Sequence, residues 1–281
     1  MNRVRDLAIS LRCVQFEERH RVVTALTENH GKISAMARNS IQSRRFGGSL
    51  EPFTAAQWDI VEKNGGEMFS VESAQVRRGF EGIRKDFMKL SLASVLNETM
   101  LTIAPEREAC PDLFRLHANA LAVIDEMDVS EKFSKNLVSV YLGKVLHWAG
   151  TQPRLSSCLE CETALEDLAP EESLNFHIGD AGWICSSCRK TGTRHLNESG
   201  MGNTVERSVR VSAETLARLR WALAQKLKDG ITMNQTEDGY TLILQLSEFH
   251  LPGFGRDRLK SFRFLGSESS LQLPALNRPL G

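Results

Sequence analysis

The residues best suited to chemistry in this 281-residue chain are two pairs of cysteines near its middle. Cys158 and Cys161 form one C-x-x-C motif, and Cys185 and Cys188 form a second after a gap of 23 residues. Each motif brings two thiolates to one ion from a tight turn, and zinc accepts two such pairs in a tetrahedral shell. The spacing therefore predicts one structural zinc ion. Because four protein ligands fill that shell, no position remains for a reactive water.

Other interpretations of the cysteines stay open at this point. A redox pair of the thioredoxin type needs a C-x-x-C motif at the start of a helix in a βαβ unit, and neither motif is predicted in that setting. The cysteines could also be buried without metal, and His177 or His195 could replace one of them as a ligand. The two remaining cysteines, Cys13 and Cys110, are interpreted as small buried apolar residues.

Composition limits the class of protein further. The chain carries 35 basic and 35 acidic residues, so net charge points to no polyanionic partner. Charge is uneven along it, because residues 1–50 hold nine Lys or Arg against four Asp or Glu. No run approaches the roughly 18 apolar residues of a membrane span, and no secretory signal is evident at the start. With its paired cysteines, the chain is expected in a reducing cytoplasm, without a membrane partner.

The elements that must position these residues follow from hydrophobic periodicity. The first 75 residues alternate like short strands, and Asn64-Gly65-Gly66 is a strong hairpin signal, so we predict a small closed barrel. Apolar spacing of three and four residues then predicts helices, with Pro105 ending the first, Pro111 starting the second, and Ser130 and Ser212 capping two more. The predicted strands cover residues 7–14, 21–27, 32–38, 58–62 and 68–72, and the predicted helices cover 77–104, a stretch from 111, 130–148 and 212–230.

These elements predict an α+β protein with two domains. Residues 1–76 form the barrel, and residues 77–281 form a helical domain into which a loop-rich, four-cysteine zinc module is inserted at about 151–195. Residues 240–246 alternate like a strand within a helical region, so their periodicity does not decide between strand and helix. The last 15 or so residues read as a frayed tail.

The order of several short segments resembles a known family. The most specific are SRRFGGSLEPF at positions 43–53 and the cysteine quartet, and weaker ones stand in the right order around them. They include VVTALTENHGKISAMAR at 22–38, ASVLNE at 93–98, GTQP at 150–153 and LKS at 259–261. Over about residues 7–265 the chain resembles RecO, the family of bacterial recombination mediators. Asn39 stands where that family often has glycine, and asparagine tolerates the same left-handed turn.

This resemblance implies a fold and a role. RecO-like proteins have an N-terminal OB-fold barrel, a helical domain and, in many members, a zinc module. They bind single- and double-stranded DNA, anneal complementary strands and, with RecR, load RecA onto strands coated by single-stranded-DNA-binding protein. The resemblance thus implies DNA repair and recombination in the RecF pathway, in the bacterial cytoplasm at the nucleoid. It also implies that the helical domain receives the acidic tail of the single-stranded-DNA-binding protein, in a groove whose residues the sequence does not identify.

The candidate DNA-binding residues are basic side chains of the barrel. Oligonucleotide binders with this fold follow the phosphate backbone with a positive groove and stack bases on exposed aromatic rings. Phe46, Phe53 and Trp58 are candidates for stacking or for ordinary core packing, and for Phe53 the core is the expected place. The predicted DNA-binding residues are Lys32, Arg38, Arg44 and Arg45, which lie in or beside the third strand and its loop, with Arg21 and Arg19 as possible additions.

We expect no enzyme. The chain lacks a phosphate-binding loop, a zinc-protease motif and a nucleophile elbow, and Gly253-Phe254-Gly255 is too short for a dinucleotide fingerprint. The alternative function is a zinc-ribbon nucleic-acid-modifying enzyme, such as a nuclease, which would need a divalent-cation site of clustered acids. The acidic run at 166–172 is more typical of a solvated segment. A third possibility is a scaffold that binds only proteins and retains no DNA.

Overall fold

The N-terminal part of the protein is a closed five-stranded barrel. In the computed structural model, which describes residues 2–62, 68–191, 207–234 and 236–265, antiparallel pairing of the first and fourth strands closes the barrel. The strand order is β1-β2-β3-β5-β4, with a parallel contact between β3 and β5, as in an OB-fold. The strands are β1 Asn2–Phe16, β2 His20–Thr27, β3 Gly31–Ala37, β4 Ala55–Glu62 and β5 Phe69–Arg78. The predicted turn at residues 64–66 lies outside the described residues.

Alternation along these strands fills the barrel. Ile33, Ala35 and Ala37 point inward, as their spacing predicts, and each is at most 1% exposed. The aromatic residues considered for base stacking also lie inside, because Phe46, Phe53 and Trp58 are 3%, 7% and 0% exposed. The stacking interpretation of these three residues is therefore wrong. A large apolar ring contributes more to the stability of the fold when it is removed from water than when it stays at the surface. These three rings are therefore packed in the core.

Seven helices follow the barrel in the described part of the chain. Pro111, Ser130 and Ser212 act at helix starts as predicted, and the Ser130 and Ser212 hydroxyls accept from the amides of Phe133 and Thr215. The ambiguous segment 240–246 is helical. The helices are α1 Phe87–Ile103, α2 Pro111–Glu126, α3 Glu131–Trp148, α4 Ser186–Thr191, α5 Ala213–Ala224, α6 Leu227–Gly230 and α7 Glu237–His250.

Two predicted helix bounds are wrong. The first helix starts at Phe87 and not near residue 77, because β5 continues to Arg78 and a 3-10 turn at Glu81–Lys85 precedes the cap. Asp86 is that cap, since its carboxylate accepts from the amide of Lys89 at 2.9 Å. The predicted helix 212–230 is two helices, α5 and α6, because Gln225 and Lys226 have extended backbone between them.

The region predicted as loop-rich contains a small antiparallel sheet. Its strands are β6 Ser173–His177, β7 Gly182–Ile184 and β8 Ser208–Ser212, in the order β7-β6-β8. Strands of three to five residues are too short for periodicity to reveal. The sheet carries one cysteine pair and packs on the helices, where Leu174, Phe176 and Trp183 are at most 1% exposed.

The barrel and the helices share one apolar core. Ile9, Leu11, Leu26 and Phe53 of the barrel belong to the same cluster as the buried faces of α1, α2 and α3. The α+β class, the OB-fold barrel, the helical part and the cysteine cluster are thus confirmed, while the domain boundary after residue 76 stays a prediction. Within the described residues, no helix combines the length and apolarity that crossing a membrane requires.

Candidate metal centre and nucleic-acid surface

The four paired cysteines converge on one point. The sulfur atoms of Cys158, Cys161, Cys185 and Cys188 all lie within 4.8 Å of one another, and those of Cys161 and Cys185 are 3.7 Å apart. A tetrahedral ion with metal–sulfur bonds of about 2.3 Å requires sulfur–sulfur distances of about 3.8 Å. The quartet therefore fits a tetrahedral, thiolate-bound metal ion.

Two tight turns bring the sulfur atoms together. The first turn is closed by a bridge between Ser157 and Ala164 and by the amide of Cys158, which donates to the carbonyl of Thr163 at 2.9 Å. In the second turn, Cys185 follows β7 directly and Cys188 lies in α4. The amides of Cys185 and Cys188 each donate to a cysteine sulfur at 3.4 Å. Such bonds to the ligand atoms orient thiolates and stabilise their charge.

Packing holds both turns in place. Trp183 is fully buried and its indole donates to the carbonyl of Leu155 at 3.1 Å, while its own carbonyl accepts from the amide of Leu159 at 2.9 Å. A Cβ atom on Gly182 would lie 2.6 Å from Cδ2 of Leu159, so a side chain at this position would force Leu159 to shift. Both turns are thus anchored in the apolar core that they share with the helices, in which Cys158 and Cys185 are buried, while Cys161 is exposed.

The alternatives for the cysteines can now be assessed. The second C-x-x-C motif opens the short helix α4, because Cys185 directly precedes it. The surrounding sheet is antiparallel, however, and the four sulfur atoms lie together, which a dithiol redox pair in a βαβ unit does not explain. His177 is 4% exposed, and its Nε2 lies 3.1 Å from the amide of Asn175, apart from the quartet. His195 lies outside the described residues.

Most of the predicted DNA-binding arginines are exposed around one end of the barrel. Arg19, Arg38, Arg44 and Arg45 are exposed, and none of these four forms an ion pair with the residues that the structure describes. Arg21 is half-buried and its guanidinium donates to Glu51 at 2.8 Å. A guanidinium group without an ion-pair partner attracts an anionic ligand with its full positive charge. The charge of a paired guanidinium group is partly neutralised by its partner.

The loop that carries these arginines is docked on the hairpin between β1 and β2. Asn39 has a φ of 53°, so it adopts the left-handed turn expected of it. Its amide donates to Nδ1 of His20 at 2.9 Å, and the amide of Ile41 donates to the carbonyl of Arg19 at 3.4 Å. These two bonds bring the loop that begins at Arg38 beside the hairpin tip.

Lys32 has contacts of a different kind. Its side chain is 11% exposed, and its ammonium donates to the carbonyl of Leu101 in α1 at 2.7 Å. Glu106 lies 3.7 Å from the same nitrogen. The residue therefore joins the barrel to the end of α1, and the prediction that it binds DNA has no support from its position. The charge of Lys32 is evident from the sequence, whereas its burial depends on α1, which is distant along the chain.

Comparison with models of known protein families shows which family both parts of the chain match. Residues 1–80 match the family model described as Recombination protein O N terminal, and residues 84–256 match Recombination protein O C terminal. The chain belongs to the RecO family. This membership covers the barrel, the helices and the cysteine quartet together, so the two parts of the structure belong to one type of protein.

Curated relatives of the RecO family extend over much of the chain. The protein named DNA repair protein RecO from Anaeromyxobacter sp. (strain K) is 34% identical over 189 residues, which are 67% of this chain and 71% of the relative. Proteins of the same name from Myxococcus xanthus and Cutibacterium acnes are 32% and 30% identical, over 67% and 69% of this chain and 73% and 77% of their own lengths.

A groove between the barrel and α1 is a feature that sequence reasoning missed in this RecO-family chain. We call it the junction groove; it measures about 630 Å³. Arg12, Arg258 and Lys260 line it and are exposed, and none of the three forms an ion pair within the described residues. No sequence signal predicts this grouping, because residues 12 and 258 meet only through the tertiary fold. Its other main lining residues are Leu11, Pro52, Phe53, Leu90, Glu98, Leu101 and Leu259.

Proposed function

We propose that this RecO-family chain is a non-catalytic recombination mediator. It binds single- and double-stranded DNA, anneals complementary strands and, with RecR, helps to load RecA onto strands coated by single-stranded-DNA-binding protein. It acts in the RecF pathway, in the bacterial cytoplasm at the nucleoid. The barrel at residues 1–76 carries the DNA, and the helical domain at 77–281 receives the single-stranded-DNA-binding protein where it meets the barrel.

The observation that carries this proposal is the group of exposed, unpaired arginines at one end of an OB-fold barrel. Arg38 and Arg19 lie where the loop after β3 meets the β1–β2 hairpin, and Arg44 and Arg45 follow in the same loop. OB-folds use this combination of strand face and loops to bind oligonucleotides. Arg21 contributes through the same surface but shares its charge with Glu51.

Annealing needs no bond to be made or broken. Two complementary strands repel one another through their phosphates, and arginines that neutralise phosphates release counterions and lower that repulsion. A surface that holds one strand by its backbone leaves the base edges free to pair with a second strand. The arginine group is sufficient for this step, because it requires charge and exposure only.

The metal ion in this proposal is zinc, one per chain, with a structural role. Cys158, Cys161, Cys185 and Cys188 would hold it, and four thiolates supply the soft, tetrahedral shell that zinc prefers. When bound, the ion would cross-link the two cysteine-containing turns. The chain's own residues, above all Trp183 and the amides of the second turn, keep the sulfur atoms oriented towards it.

The junction groove is the place we assign to the acidic tail of the single-stranded-DNA-binding protein. An acidic peptide with an apolar end needs apolar walls and a nearby cation for its carboxylate. The groove offers Leu90 and Leu101 as walls, and Arg12, Arg258 and Lys260 as cations. A groove between α3 and α7 is a weaker candidate, because its Lys135 is already bonded to Glu131 and Glu237 at 2.8 Å each.

A salt titration of DNA binding tests the proposal. Filter binding of a labelled single-stranded oligonucleotide should weaken steeply as salt rises, with a slope of about 0.7 per phosphate contact. Mixing two complementary strands with the protein and magnesium should speed duplex formation and leave the strands intact. Absence of salt-dependent retention would favour a scaffold that binds only proteins and would overturn the proposal.

The runner-up function, a zinc-ribbon nuclease, draws support from no specific observation. Within the residues that the structure describes, the cysteine quartet is the one group of three or more His, Cys, Asp or Glu side chains close enough to share an ion. A nuclease of this kind would need a second, acidic cation site. Cleavage of the labelled strand in the magnesium assay would reverse the choice between the two functions.

A further inference from the structure

The outer face of the barrel exposes apolar side chains beside the arginines. Phe16 is 45% exposed and Val14 is 44% exposed, although both belong to a regular strand, β1. Ile41, in the loop that follows β3, is 37% exposed. Exposed apolar groups that lie together on a folded protein mark places where a ligand or partner covers them.

Strand register shows that these side chains share one face. Val14 is opposite Val22 on β2, and Val22 is opposite Met36 on β3, so the three form a row across three strands. In the next row, Phe16 is opposite His20. Residues directly opposite in a sheet point to the same side.

The neighbouring row points the other way. Val23 and Ala35 are fully buried and lie in the barrel core, against which Cys13 also packs. Because side chains alternate along a strand, Val14, Val22 and Met36 must then face outward. We call the row of Val14, Val22 and Met36, together with the adjacent Phe16 on the same face, the outer apolar row. It occupies the face of strands 2 and 3 and the neighbouring loop that OB-folds offer to oligonucleotides.

Charge around the row identifies its occupant. Arg19 follows Phe16 by three residues, and the bond from Ile41 to the carbonyl of Arg19 brings the arginine loop to the same edge. Glu17 and Glu18 at the hairpin tip reduce the local charge, and Glu17 lies 3.8 Å from His20. An apolar ring bordered by free guanidinium groups matches an unpaired nucleotide, which offers a flat base and a phosphate.

We infer that Phe16 is the base-stacking residue of this chain, with Val14, Val22 and Met36 as the apolar floor beneath the neighbouring base. The inference rests on the proposed DNA-binding function and adds the residue that distinguishes single strands from duplexes. Bases inside a duplex are already stacked and paired, so the ring can reach only unpaired ones. The sequence suggested three other aromatic residues for base stacking, but all three are buried: Phe46, Phe53 and Trp58. Phe16, in contrast, is exposed beside the arginines.

The test compares Phe16→Ala with Phe16→Trp and with Phe249→Ala in the full chain. Phe249 is 53% exposed on α7 and serves as a matched control for loss of an exposed phenylalanine. Phe16→Ala should weaken binding of a single-stranded oligonucleotide by about 5- to 100-fold, and duplex binding and the salt slope should stay unchanged. Phe16→Trp should restore single-strand binding, and Phe249→Ala should match the parent protein.

The readouts separate the inference from the function beneath it. An oligonucleotide that contains 2-aminopurine reports stacking directly, and its fluorescence should be quenched by the parent protein and by Phe16→Trp only. If Phe16→Ala binds single strands as tightly as the parent, the inference fails while DNA binding stands. Equal losses for single strands and duplexes would also overturn it, because they would indicate a general change of the surface. If the parent retains no DNA, the proposed function itself fails.

Discussion

Nε2 of His117 lies 3.0 Å from Oδ1 of Asn97, and both side chains are buried between α1 and α2. The other ring nitrogen of His117 lies 2.9 Å from the hydroxyl of Tyr141 in α3. The side-chain Nδ2 of Asn97 in turn donates to the carbonyl of Leu11 in the barrel at 2.9 Å. A neutral ring satisfies both of its bonds when Nε2–H donates to Asn97 and Nδ1 accepts from Tyr141. The chain of bonds therefore ties three helices to strand β1.

Acid should destabilise the protein through this histidine. Burial lowers the pKa of His117 from its ordinary value of 6.5 to about 3. Since the unfolded chain binds a proton near pH 6.5 and the folded protein does not, stability is complete above that pH and falls as the pH drops towards 3. We expect a loss of about 2 kcal/mol between pH 8 and pH 5 from this group, measured as the free energy of unfolding in urea.

A variant distinguishes the loss of stability caused by protonation of His117 from other effects of acid, including protonation of the cysteines. His117→Gln should unfold more easily at neutral pH and should show a smaller loss of stability on acidification than the parent protein. Ring NMR signals give a second check, because His117 should stay neutral in the folded protein at pH 5. A protonated His117 in the folded protein at pH 5 would contradict the prediction.

Gly31 should tolerate no side chain. Its φ is 62°, and a Cβ atom there would lie 2.0 Å from the carbonyl oxygen of Glu108, in the segment between α1 and α2. We expect Gly31→Ala to destabilise the protein by more than about 3 kcal/mol, because backbone must move apart at the contact between barrel and helices. Gly48→Ala is the control, with a φ of 81° and no atom within 4 Å of the added Cβ. It should cost only the conformational strain of about 1 to 2 kcal/mol; similar thermal shifts for both variants would argue against the contact.

Loss of one cysteine of the quartet should release the metal. The purified parent should contain one zinc ion per chain by elemental analysis, and Cys158→Ser should contain none and lose several kcal/mol of stability, since metal binding and folding are coupled. Cys13→Ser is the control, because Cys13 is half-buried in the barrel and lies apart from the quartet. A full complement of zinc in Cys158→Ser would contradict the proposed ligand set.

Lys32 and the loop arginines should separate stability from DNA binding. Lys32→Met removes the bond to Leu101 and should lower the free energy of unfolding by about 1 to 3 kcal/mol, with the salt slope of DNA binding unchanged.

Arg44→Glu with Arg45→Glu should weaken binding to every sequence equally and flatten the slope by about one to two units, with stability unchanged. The same assays on both variants decide the matter, and an unchanged slope in the arginine variant would remove this loop from the DNA surface.

Local spacing in the sequence already determined several features of this RecO-family protein. The positions of the barrel strands, the caps at Ser130 and Ser212 and each of the two C-x-x-C motifs depend on residues a few positions apart. The turn at Asn39 was predictable for the same reason, because the residue itself tolerates the left-handed conformation. The family resemblance depends on short segments as well, and the comparisons bear it out.

Tertiary structure alone decided which side of the barrel the residues at the end of β1 face. A bulge between Ser10 and Arg12 shifts the register of β1 against β2, so that Ala8 and Cys13 both contact the barrel core although an odd number of positions separates them. A shift of one residue exchanges the two faces of a strand, and it thereby turns Phe16 outward. Likewise, α1 buries Lys32, and the fold brings Arg258 to Arg12. These placements depend on strand pairing and packing between segments that are distant in the sequence. Local periodicity carries no information about such contacts.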